Sequence, residues 1–316
     1  MKGKRITGLD CSAPADQTIK FVLRTQLKAM CAMRVKALDW SDPEGVHDMR
    51  VLSRRLRSAI SDFDPYLRKP GLPIAKLRTI AKSLGAVRDE DVALPALEEL
   101  KAGAHGEVSA GIEMLIEERR ERREKARVVL ETAIEISEVT KFHDEFRRKL
   151  RDLRIILPKK SMSPAAKEPA SFANAGIEVI SARLKELRAA SRHIFFPFEI
   201  KELHEVRILA KRLRYAVELF ESCWEKGMDS IAKEIALLQT SLGELHDCDV
   251  WVEDLGTRLR RAARKDRNEP DTIRTKAACT WLLRHFTKER TEHYRDALGR
   301  WQQWEAEEFL KKVTRH

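Results

Sequence analysis

Residues 46–63 of this chain, VHDMRVLSRRLRSAISDF, return at residues 203–220 as LHEVRILAKRLRYAVELF. The two copies are identical at 8 of 18 positions, and most other positions exchange similar side chains, such as Asp48 for Glu205. Chance does not easily produce this match. A chain built from two copies of one unit is expected to fold as two similar units that pack with an approximate twofold relation.

A second repeated segment follows each copy of the first. SLGAVRDEDV at residues 83–92 returns as SLGELHDCDV at residues 241–250, so this pair is separated by 158 residues and the first pair by 157. One duplication of a unit of roughly 150 residues explains both pairs.

Apolar residues recur with helical spacing along nearly the whole chain, and no convincing alternation of period two is present. The sequence therefore predicts an all-α fold: two antiparallel helical bundles related by a pseudo-twofold axis, with a basic groove or channel between them. The expected helices cover residues 16–38, 43–62, 72–84, 89–101, 107–136, 141–155, 172–193, 200–224, 228–242 and 247–265, with two more from residue 272 to the end.

A proline-rich segment separates the two predicted bundles. It contains Pro158, Pro164 and Pro169 and has the composition of a linker. The predicted units are an N-terminal tail (residues 1–15), a first bundle (16–157), the linker (158–171) and a second bundle (172–316).

Basic residues outnumber acidic ones, with 61 Lys and Arg against 50 Asp and Glu, so the formal net charge is +11 at neutral pH. A positive excess attracts polyanions. Opposite charges are nevertheless mixed along the helices, as on an ordinary solvated surface. The charge balance therefore favours a polyanionic partner only if the basic residues are also gathered in one place.

The cysteines and the apolar runs bear on where the protein works. The five cysteines are widely scattered and have no CxxC spacing, so we expect reduced thiols and neither disulfides nor a zinc site. The first residues lack the apolar run of a signal peptide, and no stretch approaches the roughly 20 apolar residues of a membrane span. The sequence thus predicts a cytoplasmic protein without a membrane partner.

The repeated helix has a basic side and an apolar side when it is projected at about 100° per residue. The basic side comprises His47, Arg50, Arg54 and Arg57 in the first copy, and His204, Arg207, Lys211 and Arg214 in the second. Basic residues on an amphipathic helix commonly form a solvated face. Here, however, cations at i+3 and i+4 repel one another, and a bound polyanion would remove that repulsion. These residues are therefore candidate anion ligands.

The pattern H-x-x-R-x-x-x-[RK]-R-L-R, followed some 30 residues later by L-G-x-x-[RH]-D-x-D-V, occurs twice and resembles the CHAD family, the conserved histidine α-helical domain. The resemblance covers about residues 18–309. It implies two helical bundles that face a basic central channel and bind inorganic polyphosphate, often at polyphosphate granules. The ligands implied by the resemblance are His47, Arg50, Arg54, Arg57 and Arg88 in the first half, and His204, Arg207, Lys211 and Arg214 in the second.

The second copy departs from the pattern at one position, because His246 stands where the first copy has Arg88. Histidine is only partly protonated near neutral pH. We therefore expect the second half to bind polyphosphate less tightly at neutral pH, and binding to tighten as the pH falls through the histidine range.

Four acidic residues accompany the second motif: Asp89 and Asp91 in the first copy, and Asp247 and Asp249 in the second. We interpret them as caps of helices that begin after the motif glycines and as ion-pair partners that brace the basic side chains. A divalent-metal site is the alternative, but nothing in the sequence demands one. No metal ligand and no cofactor is assigned.

Non-enzymatic binding of inorganic polyphosphate is the predicted function. A nucleic-acid-binding protein that uses the same basic surface is the alternative, although aromatic residues make up only 6% of the chain and no stacking platform or zinc finger is evident. A metal-dependent phosphoryl-transfer enzyme would need organised metal ligands or a Gly-rich phosphate loop, and neither Walker spacing nor GxGxxG occurs. No catalytic residue is assigned, and the oligomeric state is left open.

Overall fold

Helices make up nearly all of the secondary structure in the computed structural model, which describes residues 6–68, 71–156, 171–224, 228–264, 266 and 268–313. The α-helices in these ranges are α1 (Ala15–Ala32), α2 (Arg34–Ala37), α3 (Pro43–Phe63), α4 (Ile74–Ala102), α5 (Gly106–Ala133), α6 (Ile136–Asp152), α7 (Phe172–Ala190), α8 (Ile200–Phe220), α9 (Met228–Ala262), α10 (Pro270–Ala306) and α11 (Phe309–Lys312). The only sheet in the described ranges pairs two short antiparallel strands, β1 (Leu67–Arg68) and β2 (Arg154–Ile155). The predicted all-α fold is confirmed.

The two copies of the first repeated segment, residues 46–63 and 203–220, lie in α3 and α8. Both helices are 21 residues long, and both end at a phenylalanine followed by a 3-10 turn. The first residues of α3 explain its start. The Asp42 carboxylate accepts a hydrogen bond from the backbone N–H of Glu44 at 3.0 Å, and Pro43 occupies the first turn, where a missing N–H costs nothing. The predicted starts at residues 43 and 200 are confirmed.

The second repeated motif lies inside long helices and does not begin new ones. Helix α4 runs unbroken through Gly85 and Asp89, and α9 runs unbroken through Gly243 and Asp247. The predicted breaks near residues 85 and 243 are therefore wrong, and so is the predicted helix-capping role of the motif aspartates. A glycine inside a helix costs only about 1 kcal/mol, and burial of the neighbouring leucines in the core outweighs that cost.

Side chains from both halves share one large hydrophobic core. Phe63 of α3, Phe172 of α7 and Phe220 of α8 meet there, with the rings of Phe172 and Phe220 4.6 Å apart. A second core joins α4 and α5 to α9 and α10, where a Cβ on Gly111 would lie 2.2 Å from the Arg274 carbonyl oxygen. Only glycine permits this approach of α5 to α10. The two halves thus pack as one body, and the predicted domain boundaries remain predictions.

The N-terminal segment is attached to the second half of the chain. The backbone N–H of Phe172 donates to the carbonyl of Ala13 at 3.0 Å, and that of Ala173 donates to the carbonyl of Cys11 at 3.0 Å. A disulfide joins Cys11 to Cys223, with the two Cα atoms 5.2 Å apart. The described part of the predicted tail is therefore packed in place. The predicted linker, apart from Ser171, lies outside the described residues.

The disulfide corrects the prediction of five reduced thiols, which is wrong for Cys11 and Cys223. The two cysteines are 212 positions apart, so local spacing could not reveal the pair. The other three cysteines are free, as predicted, and burial raises the pKa of Cys31 to about 11, of Cys248 to about 12 and of Cys279 to about 11. Within the described ranges, none of the helices has both the length and the apolar character needed to span a bilayer.

Candidate functional site

Helices α3 and α8 bring cations from the two halves of the chain together. Lys211 of α8 lies close enough to Arg50 and Arg54 of α3 for their positive charges to repel its own. Arg207 and Arg214, on α8 itself, repel it as well. Burial, reinforced by these four positive charges, lowers the pKa of Lys211 to about 7. We call Arg50, Arg54, Arg207, Lys211 and Arg214 the basic cluster.

Each motif glycine leaves room for an arginine of the basic cluster. A Cβ on Gly85 would lie 3.7 Å from Arg50 Nε, and a Cβ on Gly243 would lie 3.6 Å from Arg207 Nε. The two arginines thus rest against the bare backbone of α4 and α9 in equivalent ways. A single Cβ at either position would make an ordinary van der Waals contact with the arginine, whereas a larger side chain would meet it.

The histidines of the two halves also have equivalent neighbours. Burial, with the charge of Arg88, lowers the pKa of His47, while burial, with the charge of Arg207, lowers the pKa of His204. The ring centroids of His204 and His246 are 3.9 Å apart. Burial, together with His204 and Arg207, lowers the pKa of His246 to about 4. Without a bound anion, His246 is therefore neutral at pH 7.

The remaining predicted cations are placed differently. Arg57 is exposed and has Arg78 of α4 as its charged neighbour, so the structure does not bring it to the basic cluster. Arg88 lies beside His47 and 3.6 Å from Glu44 of α3. Arg88 is thus adjacent to the site, whereas Arg57 lies apart from it.

The first acidic position of each motif faces the basic cluster. Arg50 Nη2 donates a hydrogen bond to Asp89 Oδ1 at 3.4 Å. At the equivalent position, burial raises the pKa of Asp247 and the nearby charge of Arg207 opposes that rise. Asp89 therefore forms the predicted ion pair with Arg50, whereas Asp247 lies near the charge of Arg207 and its ion-pair role stays a prediction.

The second acidic position ties neighbouring helices together. Arg290 Nε of α10 donates to Asp249 Oδ1 of α9 at 2.5 Å, and Arg123 of α5 lies 3.9 Å from Asp91 of α4. These aspartates therefore act through the scaffold and not on an anion in the basic cluster.

A small acidic group at the start of α3 resembles a metal site in composition only. The potential ligand atoms of Glu44, His47 and Asp48 lie within 4.8 Å of one another. The charge of Arg88 disfavours a cation there, because its guanidinium is 3.6 Å from Glu44. We assign no metal to this group.

A cavity beside the basic cluster was not predicted from the sequence. It has a volume of about 870 Å³ and lies between α1, α3, α8 and α9. Arg55, which lines it, donates to Glu218 at 2.8 Å across 163 positions of sequence. Only this long-range pairing reveals a role for Arg55, since the helical projection does not distinguish it from a solvated arginine. We call this space the α3–α8 cavity.

Comparisons with known proteins place the chain in a family. The CHAD domain profile matches residues 22–256. The crystal structure of the CHAD domain from the plant Ricinus communis has a TM-score of 0.70 and 20% identity, covering 95% of this chain and 96% of that one. PptA from Streptomyces chartreusis has a TM-score of 0.62 and 17% identity, covering 92% and 100%. At these identities the likeness to solved structures establishes the fold alone.

Two curated relatives are the uncharacterized proteins MT2285 and Rv2226 of Mycobacterium tuberculosis, each 27% identical over 229 residues. The match covers 71% of this chain but only 41% of each relative. The profile match begins within α1, ends within α9 and includes both copies of each repeated motif. The chain therefore belongs to the CHAD domain family.

Proposed function

We propose that this protein binds inorganic polyphosphate, without chemical conversion, through the basic cluster. The observation that carries the proposal is the position of Lys211, which is half-buried and surrounded by the charges of arginines from both halves. Packing like charges together in a poorly solvated region is unfavourable unless an anion neutralises them. A polyanion supplies that charge and stabilises the two repeated helices together.

The side chains suit phosphate oxygens in particular. Arginine presents a planar fork of donors that can hold two phosphate oxygens, and lysine adds a compact charge. His47 and Arg54 are separated by about 10 Å along α3, at 1.5 Å per residue. A linear polymer with a charge on every unit can meet cations over that distance, whereas one phosphate ion cannot.

The surroundings of the cluster favour polyphosphate over nucleic acid. Tyr215, next to Arg214, is only 7% exposed, so its ring offers a nucleobase no stacking surface. Nucleic acid remains the alternative partner, and the experiment must distinguish it from polyphosphate. As part of the proposal, the protein has no membrane partner and associates with polyphosphate granules. The Cys11–Cys223 disulfide removes the support that five reduced thiols gave to a cytoplasmic location.

The test is fluorescence anisotropy of labelled long-chain polyphosphate at increasing salt. The site variant is Arg50→Ala/Arg54→Ala/Arg207→Ala/Lys211→Ala, and the control variant is Arg122→Ala/Lys125→Ala/Lys141→Ala/Lys288→Ala. The control variant removes four exposed cations, so it lowers the formal net charge by the same amount as the site variant. We expect binding by the native chain and the control, a steep loss with salt, and collapse of binding in the site variant.

Three results would contradict the proposal. Equal weakening of both variants would mean that only the net charge matters. Displacement of polyphosphate by tRNA at physiological salt would favour a nucleic-acid partner. Release of phosphate from polyphosphate in the presence of magnesium or manganese would indicate an enzyme.

A further inference from the structure

The α3–α8 cavity is adjacent to the basic cluster but has a different lining. Arg54 and Arg214 belong to both, and His47 of the proposed polyphosphate site lines the cavity as well. Arg50, Arg207 and Lys211 do not line it. Its volume, about 870 Å³, lies in the range of sites that hold small molecules, roughly 300–1,000 Å³. The cavity therefore has the dimensions of a separate small-molecule site.

Charges of both signs line the cavity, in contrast to the basic cluster. Glu218 accepts from Arg55 at 2.8 Å and lies 3.6 Å from Arg214. Asp229 and Lys233 form another pair at 2.5 Å. A surface of this kind suits a ligand that combines an anionic group with a hydrogen-bond donor better than it suits a pure polyanion.

Several polar atoms of the lining residues have no hydrogen-bond partner in the described part of the chain. Three are donors, the Nε atoms of Arg54, Arg55 and Arg214, of which Arg214 Nε lies 3.6 Å from the Glu218 carboxylate as an ion pair. Two are acceptors, Gln26 Oε1 and Asp62 Oδ2, and the Ser58 hydroxyl can act either way. Native proteins rarely leave buried polar atoms unpaired, and here all six side chains converge on one cavity.

The unpaired polar atoms around the cavity include both donors and acceptors. Arg54, Arg55 and Ser58 of α3, with Arg214 of α8, supply donors for anionic oxygens. Gln26 of α1 and Asp62 near the end of α3 supply acceptors. A matching ligand therefore combines anionic oxygens with an N–H or O–H group.

We propose that the α3–α8 cavity binds a small phosphate ester that also carries an amino or hydroxyl group, with the phosphate toward Arg54 and Arg214 and the donor group toward Gln26 and Asp62. Because Arg54 and Arg214 also belong to the basic cluster, such a ligand competes with polyphosphate. Only this competition rests on the function proposed above, since the cavity itself is independent of it.

Isothermal titration calorimetry of the whole protein tests the proposal, with phosphoethanolamine, glycerol 3-phosphate, inorganic phosphate and tripolyphosphate as probes. At least one of the two esters is expected to bind about tenfold or more tightly than inorganic phosphate, because it makes a hydrogen bond that phosphate alone cannot make at that end. If neither ester binds more tightly than inorganic phosphate and tripolyphosphate, the proposal is wrong.

Two variants locate the binding. Ala236→Phe, on the α9 wall, fills the cavity without replacing any residue of the basic cluster, and Ala189→Phe, at an exposed position of α7, is the matched control. Ala236→Phe should abolish ester binding and preserve polyphosphate binding. Gln26→Leu removes the proposed acceptor without filling the cavity with an aromatic ring. In this variant the tighter-binding ester should bind with the same affinity as inorganic phosphate. Ester binding that survives both variants would overturn the assignment of the cavity.

The same titrations separate the two proposals. Ester binding that Ala236→Phe abolishes, in a protein that does not bind polyphosphate, would retain the cavity site and reject the proposed function. Polyphosphate binding without a preferred ester would do the reverse. In a protein that binds both, the ester should lower the apparent polyphosphate affinity, and independent binding would reject the shared role of Arg54 and Arg214.

Discussion

At the scale of single residues, Lys211 determines how the protein responds to pH. Burial and the surrounding arginines lower its pKa from 10.5 to about 7. A bound polyanion favours the charged form and raises the pKa again. Binding above pH 7 is therefore coupled to the uptake of one proton, whereas below pH 7 the lysine already carries its charge.

The first prediction follows from this coupling. Polyphosphate affinity should fall as the pH rises from 7 to 9, by at most about tenfold per pH unit for one proton. Lys211→Arg, which stays charged throughout, should show a much weaker dependence. Anisotropy at fixed ionic strength measures the affinities, and calorimetry in two buffers of different ionisation heat counts the protons. Equal heats in the two buffers at pH 8 would rule out proton uptake.

The histidines add to this behaviour at lower pH. Their lowered pKa values mean that His47 and His204 are mainly neutral in the free protein at pH 7, and His246 remains so down to about pH 4. Polyphosphate should raise these pKa values, so the predicted tightening of binding begins, as the pH falls, at the pKa of each histidine in the complex and ends at its lower pKa in the free protein.

The second prediction concerns the room left by Gly85. In Gly85→Ala the added Cβ would lie 3.7 Å from Arg50 Nε, an ordinary van der Waals contact, so Arg50 keeps its place. We expect the helix to gain about 1 kcal/mol in the free energy of unfolding and polyphosphate binding to be unchanged. Gly85→Leu should instead displace Arg50 and weaken binding. Urea denaturation and anisotropy measure the two effects, and loss of binding in Gly85→Ala would contradict the expectation that Arg50 keeps its place.

At the scale of helices, local patterns predicted α3 and α8 well because the apolar period and basic side of both helices, and the cap of α3, depend on adjacent residues. The same reasoning predicted helix breaks near Gly85 and Gly243 that do not occur. Glycine and aspartate indicate a helix end only through their local conformational preferences. Leu84 and Leu242 are almost fully buried. Their packing with distant helices is a tertiary effect that a local pattern does not contain.

The third prediction compares two aspartates at different positions of the repeated motif. The side chain of Asp249 is only 6% exposed where it pairs with Arg290, whereas that of Asp89 is 68% exposed beside Arg50. Removing Asp249 leaves a buried arginine without its partner, so Asp249→Ala should cost about 3–5 kcal/mol of unfolding free energy. Asp89→Ala should cost at most about 1 kcal/mol, as for an exposed pair.

Urea denaturation of both variants and the native chain decides this prediction. Arg290 also donates to the carbonyl of Pro197 at 2.7 Å, so loss of Asp249 should loosen the segment that leads into α8 as well. If the two substitutions cost the same, Asp249 does not fasten α9 to α10 in the way the geometry indicates.

At the scale of the whole molecule, the duplicated halves are alike in structure but different in charge. The first half contributes Arg54 and Arg88 where the second half has Lys211 and His246. Arginine stays charged at any physiological pH, while in the free protein Lys211 loses its proton above about pH 7 and His246 above about pH 4. The sequence revealed this difference residue by residue. It could not reveal the α3–α8 cavity, which arises only when α1, α3, α8 and α9 pack together.

The last prediction concerns the disulfide that closes the chain on itself. Cys11 and Cys223 are 212 positions apart, and a chain-entropy argument for so long a loop gives about 5 kcal/mol of stabilisation, with measured values from about 0 to 5. Reduction, or Cys11→Ser/Cys223→Ser, should therefore lower the free energy of unfolding. Cys31→Ser, at a free thiol, is the control and should respond to reductant as the native chain does.

Urea denaturation with and without reductant measures the stabilisation, and a thiol count on the unfolded, unreduced chain should find three free thiols. Because the disulfide holds the N-terminal segment against the end of α8, and Ile6 and Ser222 both line the α3–α8 cavity, reduction should also weaken ester binding in that cavity. Polyphosphate binding should change less, because the basic cluster lies nearer the start of α8, away from the end that the disulfide holds. Five free thiols, or a stability that reductant leaves unchanged, would refute this link between the N-terminal segment and the cavity.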